Sequence, residues 1–300
     1  MSLKELVKQD PLKPFGETDV LLFYAIVSTK LKDFLKGKEL ATKVWLPTGN
    51  LPSFLNRGSK KEPLYIEEMA EVDEDFLALR KAHLDEVRNK LNKTQQKIWE
   101  YFPPRKLMDF FYATNGEAPG KPIDRIFFDI DRGENVTSDH ARQVADVLAN
   151  EVIPKDPNLP TQKEPFVMWT GSSFHIYLFL KKKEPNEFYV KNFQYSKNSP
   201  DATFTGRWAK IVREETKLNV GGGHEKEKDR INIDPSQTPS GKLARVPLSS
   251  LHMKDAKTVD GVSIPVERKM LKKSDLIERL REYNPAKVIK ELDSLAKLLP

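Results

Sequence analysis

Two aspartates at the end of an apolar run are the residues best suited to chemistry in this chain. The segment RIFFDID places Asp129 and Asp131 two positions apart, directly after the apolar residues 126–128. Because side chains alternate between the two faces of a strand, both carboxylates are predicted to project to one side, while Ile130 turns into the core. Two like charges this close repel each other unless a cation lies between them or one carboxylate is protonated. The pattern indicates a site for Mg²⁺ or Mn²⁺, which prefer oxygen ligands.

Two further short motifs place polar side chains next to apolar strands. Ser173 and His175 lie two positions apart, just after a turn at Gly171 and at the start of the β-prone run FHIYLFL. A hydroxyl and an imidazole facing the same way can donate hydrogen bonds to phosphate oxygens. The run RINID supplies a third carboxylate, Asp234. Each motif alone also fits a solvated acid or a structural histidine, because short motifs often arise by chance.

Helices and strands predicted from periodicity must position these side chains. The order strand, acidic turn, helix around Asp129 indicates an α/β protein. Strands are predicted over 106–114, from 124, and over 166–170, 174–180 and 230–234. Helices are predicted over 19–36, over 73–101 as one helix or a pair, over 136–152 with Ser138 as the N-cap, and over 274–299 with a break at Pro285.

The remaining stretches carry weaker predictions. Residues 43–61, with several Pro and Gly breakers, are expected to be irregular, and 221–229 are expected to form a flexible charged loop. His224 in that loop fits a solvated residue better than a metal ligand. Between these regions, Trp208, Ile211 and Val212 are predicted to be buried.

The composition limits the class of protein. The chain has 300 residues, enough for one large or two ordinary domains, and it contains no cysteine, which excludes disulfides, thiolate zinc sites and cysteine nucleophiles. It has no run of about 18 apolar residues and no apolar segment typical of a leader peptide, so a cytoplasmic protein without a membrane partner is expected. The formal net charge of +6 favours a polyanionic partner.

Taken together and in order, the motifs resemble a known family. The set DID, GSSFH and INID, followed by ARVPLSSLH, resembles the archaeo-eukaryotic primase superfamily, whose signature is a strand with two aspartates, a Ser-x-His strand and a third aspartate. Because the chain lacks cysteine, it departs from members with a zinc knuckle and is most similar to the single-chain primase-polymerase and end-joining polymerase branch. The resemblance implies an α/β (α+β) fold with a mixed sheet and an open cleft. It divides the chain into a helical flanking region (1–104), a catalytic core (105–256) and a helical tail (257–300).

The resemblance also assigns roles to eight residues. Two Mg²⁺ or Mn²⁺ ions would be held by Asp129, Asp131 and Asp234. The triphosphate of an incoming nucleotide would be bound by Ser172, Ser173, His175, Arg245 and His252. The segment PLSSLH carries a second serine and so departs from the family pattern next to His252.

The implied activity is template-dependent nucleotidyl transfer, as a DNA primase or primase-polymerase that uses NTPs or dNTPs on single-stranded or primed DNA. A metal-dependent nuclease or glycosyltransferase would use the same paired aspartates, and a non-catalytic nucleic-acid-binding module is a third hypothesis. The basic residues Arg57, Lys60 and Lys61, and the stretch 181–183, are expected near the nucleic acid. A large primase subunit, a helicase or a ligase would each suit the resemblance as a partner.

Overall fold

The computed structural model describes residues 19–46, 53–161, 164–225, 227–253 and 259–300. Its α-helices are α1 (Val20–Ser28), α2 (Glu74–Leu79), α3 (Leu84–Val87), α4 (Lys93–Tyr101), α5 (Ser138–Asp146), α6 (Asn186–Asn192), α7 (Phe204–Thr216), α8 (Leu276–Arg281), α9 (Pro285–Lys290) and α10 (Leu292–Ala296). None of the helices in these ranges is long and apolar enough to cross a membrane.

The described strands occur in groups between the helices, and the last six follow one another along the chain. They are β1 (Leu40–Trp45), β2 (Ser53–Arg57), β3 (Met108–Ala113), β4 (Ile123–Arg132), β5 (Phe166–Trp169), β6 (Phe174–Glu184), β7 (Val220–Gly222), β8 (Ile231–Asp234), β9 (Leu243–Arg245), β10 (Leu251–Met253), β11 (Val259–Val262) and β12 (Ile264–Val266).

These elements form two compact units, each built from separate stretches of the chain. The first unit takes the described residues of 1–113, 245–264 and 282–300, and the second takes those of 114–244 and 265–281. The three consecutive regions expected from the sequence, 1–104, 105–256 and 257–300, stay a prediction.

In the first unit a fully buried helix, α1, packs against strand β3. β1 pairs antiparallel with both β2 and β3. All nine side chains of α1 are buried. The Tyr24 ring lies 4.9 Å from the Phe110 ring, and its hydroxyl donates to the Met108 carbonyl at 2.5 Å. Burying aromatic rings of this size typically stabilises a fold by about 1.5–3 kcal/mol each, so α1 fixes the position of β3.

Three sequence predictions for the first unit are wrong in their bounds. The helix predicted over 19–36 ends at Ser28, where the Thr29 hydroxyl donates to the Ile26 carbonyl at 2.7 Å and competes with the helical pattern. The stretch 43–61, expected to be irregular, contains the end of β1 and all of β2, while 47–52 lie outside the described residues. Pairing of β1 with both β2 and β3 outweighs the breakers in this stretch, because strand formation depends on tertiary context.

The single helix or helix pair predicted over 73–101 is instead three short helices. Asp73 caps α2 by accepting from the Phe76 amide at 2.7 Å, and Asn92 caps α4 by accepting from the Gln95 amide at 2.8 Å. An N-cap residue has extended backbone angles, so a cap at Asn92 requires a break in the helix before it. The predicted break at Pro285 is confirmed, because Pro285 is the first residue of α9.

The second unit contains a mixed six-stranded sheet, in the order β12-β5-β6-β4-β8-β7. Its central strand β4 pairs antiparallel with β6 and β8, and β7 pairs parallel with β8. The predicted strands around Asp129, Ser173 and Asp234 are confirmed, and so is a mixed α/β architecture. The loop expected over 221–229 is partly wrong, because Gly221 and Gly222 belong to β7.

One face of this sheet is covered by an aromatic cluster. Phe128 on β4 lies 5.8 Å from the Trp208 ring of α7 and 6.0 Å from the Phe193 ring. The predicted burial of Trp208 and Val212 is confirmed, whereas Ile211 is 42% exposed. Ile211 is on the solvent side of α7, because adjacent helical residues lie about 100° apart around the axis.

The helix after β4 begins at Ser138, but its N-cap is Thr137 rather than the predicted Ser138. The Thr137 hydroxyl accepts from the His140 amide at 3.2 Å. Ser138 is thereby free for another contact, and its hydroxyl donates to the Ser172 carbonyl at 2.8 Å. The helix therefore supports the turn that precedes β6.

Candidate active site

The two aspartates of β4 face away from the aromatic cluster. Phe128 and Ile130 are fully buried on the cluster side. Because β4 is a regular strand with neighbours on both sides, its alternate residues Asp129 and Asp131 must project from the opposite face. The apolar half of the motif thus fixes the direction in which the carboxylates point.

Strand register brings polar residues from three strands into line. Asp129 lies directly opposite Asp234 of β8 on one side and opposite His175 of β6 on the other. Directly opposite residues of antiparallel strands share a face, with Cβ atoms typically about 4.5–5.5 Å apart. We call Asp234, Asp129 and His175 the cross-strand row. Asp131 projects from the same face, two residues along β4. We call this side of the sheet, which carries Asp129, Asp131 and Asp234, the carboxylate face.

His175 is the most fixed member of the cross-strand row. Its Nε2 lies 3.6 Å from Asp129 Oδ1, and its ring centroid is 4.6 Å from that of Phe127 in an edge-on arrangement. The His175 side chain is 6% exposed, whereas that of Asp129 is 36% exposed. The imidazole is therefore held in the sheet, while the Asp129 carboxylate reaches solvent.

Asp234 is buried and held by the turn that follows it. One carboxylate oxygen accepts from the Ser236 amide at 2.9 Å, and the other accepts from the Ser236 hydroxyl at 2.8 Å. Burial and then the charge of Asp234 raise the pKa of the nearby Tyr189 hydroxyl well above its usual range, so Tyr189 stays protonated. Each Asp234 oxygen retains a lone pair for a further ligand.

The serines of the turn before β6 are tied to the backbone of the sheet. The Ser173 hydroxyl donates to the Ile130 carbonyl, and the Ser173 amide donates to the Thr170 hydroxyl at 3.1 Å. The Ser172 carbonyl accepts from Arg132 Nε at 3.2 Å. Gly171 has φ of 102°, a backbone angle that favours glycine. These contacts hold the turn against the strand that carries Asp129 and Asp131.

Sequence reasoning missed two residues on this face. Asn232 lies directly opposite Asp131, and Arg230 precedes it by two positions on the same side of β8. The Arg230 guanidinium lies over Gly221, where an added Cβ would come within 1.7 Å of it. The alternation of Arg230, Asn232 and Asp234 with two isoleucines in RINID was the signal that could have revealed them.

Asn232 also has an unusual hydrogen-bonding state. Its side-chain amide donates to the Glu225 carbonyl at 2.5 Å. Its Oδ1 is buried and has no hydrogen-bond donor among the residues that the structure describes. A buried oxygen without a donor is costly, and here it belongs to a residue of the carboxylate face.

The donor set of this face suits a hard cation, although its side chains are not gathered around one point. Across the described ranges, no group of three or more His, Asp or Glu side chains is arranged to hold a metal ion. The oxygens available are those of Asp129, Asp131 and Asp234, with Asn232 Oδ1 beside them, and oxygen ligands are what Mg²⁺ and Mn²⁺ prefer. By their chemistry and shared face the three aspartates fit such an ion.

The other predicted site residues belong to the first unit. Arg245 ends β9, and its Nη1 lies 3.5 Å from Asp109 Oδ2. His252 Nδ1 lies 3.7 Å from Asp260 Oδ2. Lys61 Nζ lies 3.7 Å from Glu100 Oε2, Lys60 is exposed, and Arg57 ends β2. In the second unit, residues 181–183 are exposed on β6.

Comparisons with known proteins reveal the fold but no sequence relative. No protein-family model matches the chain, and no curated protein matches it. Among solved structures, the chain is similar to the polymerase domain of Mycobacterium tuberculosis Ligase D in complex with DNA, with a TM-score of 0.56 and 17% sequence identity. The likeness covers 96% of each chain. The whole chain therefore has the fold of a polymerase domain.

Proposed function

We propose that this chain is a template-dependent nucleotidyltransferase that adds nucleotides to a nucleic-acid 3′ end or starts a primer. The observation that carries the proposal is the cross-strand row, with Asp131 projecting beside it from the same face. Its support is the order of the three motifs and the fold shared with a DNA-bound polymerase domain. The likeness to the archaeo-eukaryotic primase superfamily, at the level of motifs, makes primase-polymerase chemistry the specific form of the proposal.

In this proposal Asp129, Asp131 and Asp234 hold Mg²⁺ or Mn²⁺. Such ions, when bound, supply positive charge against the negative charge that develops during phosphoryl transfer. The chain itself contributes a rigid frame, because the Ser236 contacts fix Asp234 and the neighbouring strands fix Asp129. Asp129 is the most exposed member of the row.

The triphosphate of the nucleotide would be bound by Ser172, Ser173, His175, Arg245 and His252. His175 is held edge-on by Phe127, so its imidazole needs no reordering to donate a hydrogen bond. The Ser173 hydroxyl is already engaged with the Ile130 carbonyl, so Ser173 would contribute chiefly by fixing the turn. Arg245 enters the proposal through its motif, and its guanidinium would neutralise phosphate charge.

Single-stranded or primed DNA is the proposed template. The solved polymerase domain is in complex with DNA, and the present chain carries a net charge of +6. The exposed Lys60 and residues 181–183, with the half-buried Lys61, offer cations that could contact phosphates.

The proposal is tested by extension of a labelled primer on a single-stranded template with Mn²⁺ or Mg²⁺. dNTPs and NTPs are supplied separately, beside a reaction without primer. Template-dependent extension is expected, and the unprimed reaction then separates primer synthesis from primer extension. Shortening of the primer without added nucleotide would instead identify a nuclease. Folded protein that binds DNA yet adds no nucleotide under any of these conditions would contradict the proposal.

A further inference from the structure

The first unit contains a buried carboxylate that the proposed chemistry does not use. Asp109 lies on β3 and its side chain is 2% exposed. In the pairing of β1 with β3 it is directly opposite Lys43. A charged side chain is rarely this buried unless it is paired, so its neighbours indicate what it does.

The principal neighbour of Asp109 is Arg245. Within the described ranges, three polar contacts of the Arg245 guanidinium are made through Nη1: Asp109 Oδ2 at 3.5 Å, Ser250 Oγ at 3.3 Å and the Leu251 carbonyl at 3.2 Å. The guanidinium carbon lies 5.2 Å from the centre of the Phe111 ring. One edge of the planar guanidinium is therefore anchored, and Phe111 restricts its plane.

Charged and polar groups on several elements surround Asp109 and affect its pKa. Burial raises the pKa of Asp109 to about 6, while the charges of Arg245 and Lys43 oppose that rise. Tyr24 stays neutral, because burial and the charge of Asp109 raise its pKa. On β10, His252 is paired with Asp260 instead.

A carboxylate is an expensive way to fill this position. Burial outweighs the attraction of the two nearby cations, so the ionised form at neutral pH is less stable than a neutral side chain would be. A requirement for packing alone would be met by asparagine. A requirement to hold a cationic side chain in one orientation is met only by a charged or strongly accepting partner.

We propose that Asp109 is a positioning residue, which holds the Nη1 edge of Arg245 and so presents the rest of the guanidinium to the triphosphate. The inference rests on the phosphate-binding role of Arg245 within the proposed function. Anchoring removes rotational freedom from a long side chain before the ligand arrives, so less conformational entropy is lost when the ligand binds. The gain would appear in the affinity for the nucleotide and not in the rate of the chemical step.

The experiment is a double-mutant cycle with inorganic triphosphate as the probe, measured by calorimetry at pH 7.5. Asp109→Asn is expected to weaken triphosphate binding on the order of fivefold. The same substitution in an Arg245→Gln background is expected to have no further effect. Asp33→Asn, an exposed carboxylate of the same unit, is the matched control and should bind as the wild type does.

The remaining outcomes are equally decisive. Unchanged or tighter binding in Asp109→Asn, or equal weakening in the Arg245→Gln background, would overturn the proposal. If Asp109→Asn does not fold, Ser250→Ala removes another acceptor of Nη1, and the inference predicts weaker binding that again disappears in the Arg245→Gln background.

Primer extension separates this inference from the proposed function. In an active enzyme, Asp109→Asn should raise the KM for the nucleotide on the order of fivefold and leave kcat within about twofold. A wild-type chain that never extends a primer would refute the proposed function, while the calorimetric cycle would still decide whether Asp109 positions Arg245.

Discussion

The two units hold their central carboxylates in opposite ways. In the second unit, Asp129, Asp131 and Asp234 share one face of a sheet, and Asp129 is 36% exposed. In the first unit, Asp109 is 2% exposed and has Arg245 beside it and Lys43 opposite it in the strand pair. One region concentrates negative charge, and the other neutralises a single charge internally.

The difference indicates what each region requires from outside. Carboxylates that share one face of a sheet gain stability when a cation binds between them, because the ion relieves their mutual repulsion. A carboxylate that is already paired with arginine is not stabilised further by a metal ion. Its contribution to function is made through the arginine beside it. Metal binding is therefore expected in the second unit alone, and each prediction below tests that contrast.

The largest effect is expected from neutralising the carboxylate face. Asp129→Asn with Asp131→Asn should reduce nucleotide incorporation by about 10³-fold or more, since metal ions contribute several kcal/mol of transition-state stabilisation. Addition of Mn²⁺ should raise the melting temperature of the wild type but not that of the variant. Primer extension and thermal unfolding measure both results. Asp201→Asn, on an exposed residue of the same unit, is the control, and a variant that fails to fold would argue against a metal-binding role.

The next largest effect concerns the buried carboxylate of the first unit and the free energy of unfolding. The pKa of Asp109 is raised from 3.8 to about 6, so the folded state binds this proton more tightly than the unfolded state does. The stabilising contribution is complete below pH 3.8 and is lost as the pH rises through 6. At pH 7.5 the loss amounts to about 3 kcal/mol.

Asp109→Asn lacks this loss and should therefore be more stable than the wild type by about 3 kcal/mol at pH 7.5. The advantage should disappear as the pH falls towards 4. Urea unfolding at a series of pH values measures it, with Asp33→Asn as the control. An asparagine variant that is less stable at pH 7.5 would mean that the ion pair with Arg245 outweighs burial.

A smaller effect is expected at Asn232. Asn232 lies opposite Asp131 in the strand pair, and Asn232→Ala removes its buried Oδ1. Loss of a supporting residue next to metal ligands typically lowers activity or metal affinity by about tenfold. Among the described residues its side chain hydrogen-bonds to the Glu225 carbonyl alone, so the substitution should lower the free energy of unfolding by about 1 kcal/mol. Primer extension and Mn²⁺ titration test this, with the exposed Asn198→Ala as the control. A large stability loss with unchanged activity would make Asn232 purely structural.

The smallest effect is expected at Lys60 and Lys61, of which Lys60 is exposed and Lys61 is half-buried beside Glu100. Lys60→Ala with Lys61→Ala should weaken DNA binding severalfold and reduce the slope of log affinity against log salt by roughly 1–2. Lys210→Ala with Arg213→Ala removes the same charge from an exposed face of α7 and serves as the control. Equal slopes for the two double variants would show that Lys60 and Lys61 act only through net charge.

Much of the candidate site could be predicted from local sequence patterns. The strands that carry Asp129, His175 and Asp234 were predicted because apolar alternation is a property of consecutive residues. Asn232 and Arg230 were not predicted as site residues, although RINID alternates polar and apolar residues. Neither of them forms a close pair of like charges in the sequence, which is the feature that indicates a site at Asp129 and Asp131. The strands β1 and β2 were missed because their stability comes from pairing within the sheet, β1 with both β2 and β3, and not from their own residues.

The sequence by itself determined the alternation that points both carboxylates of β4 to one face, the caps that begin α2 and α4, and the break at Pro285. Only the tertiary structure decided which strands are neighbours, and hence that Asp129 lies between Asp234 and His175 while Arg245 lies beside Asp109. The reason is physical. Direction along a strand is fixed by the covalent geometry of adjacent residues, whereas register is fixed by packing between segments far apart in the chain, where a shift of one residue would turn every side chain to the other face.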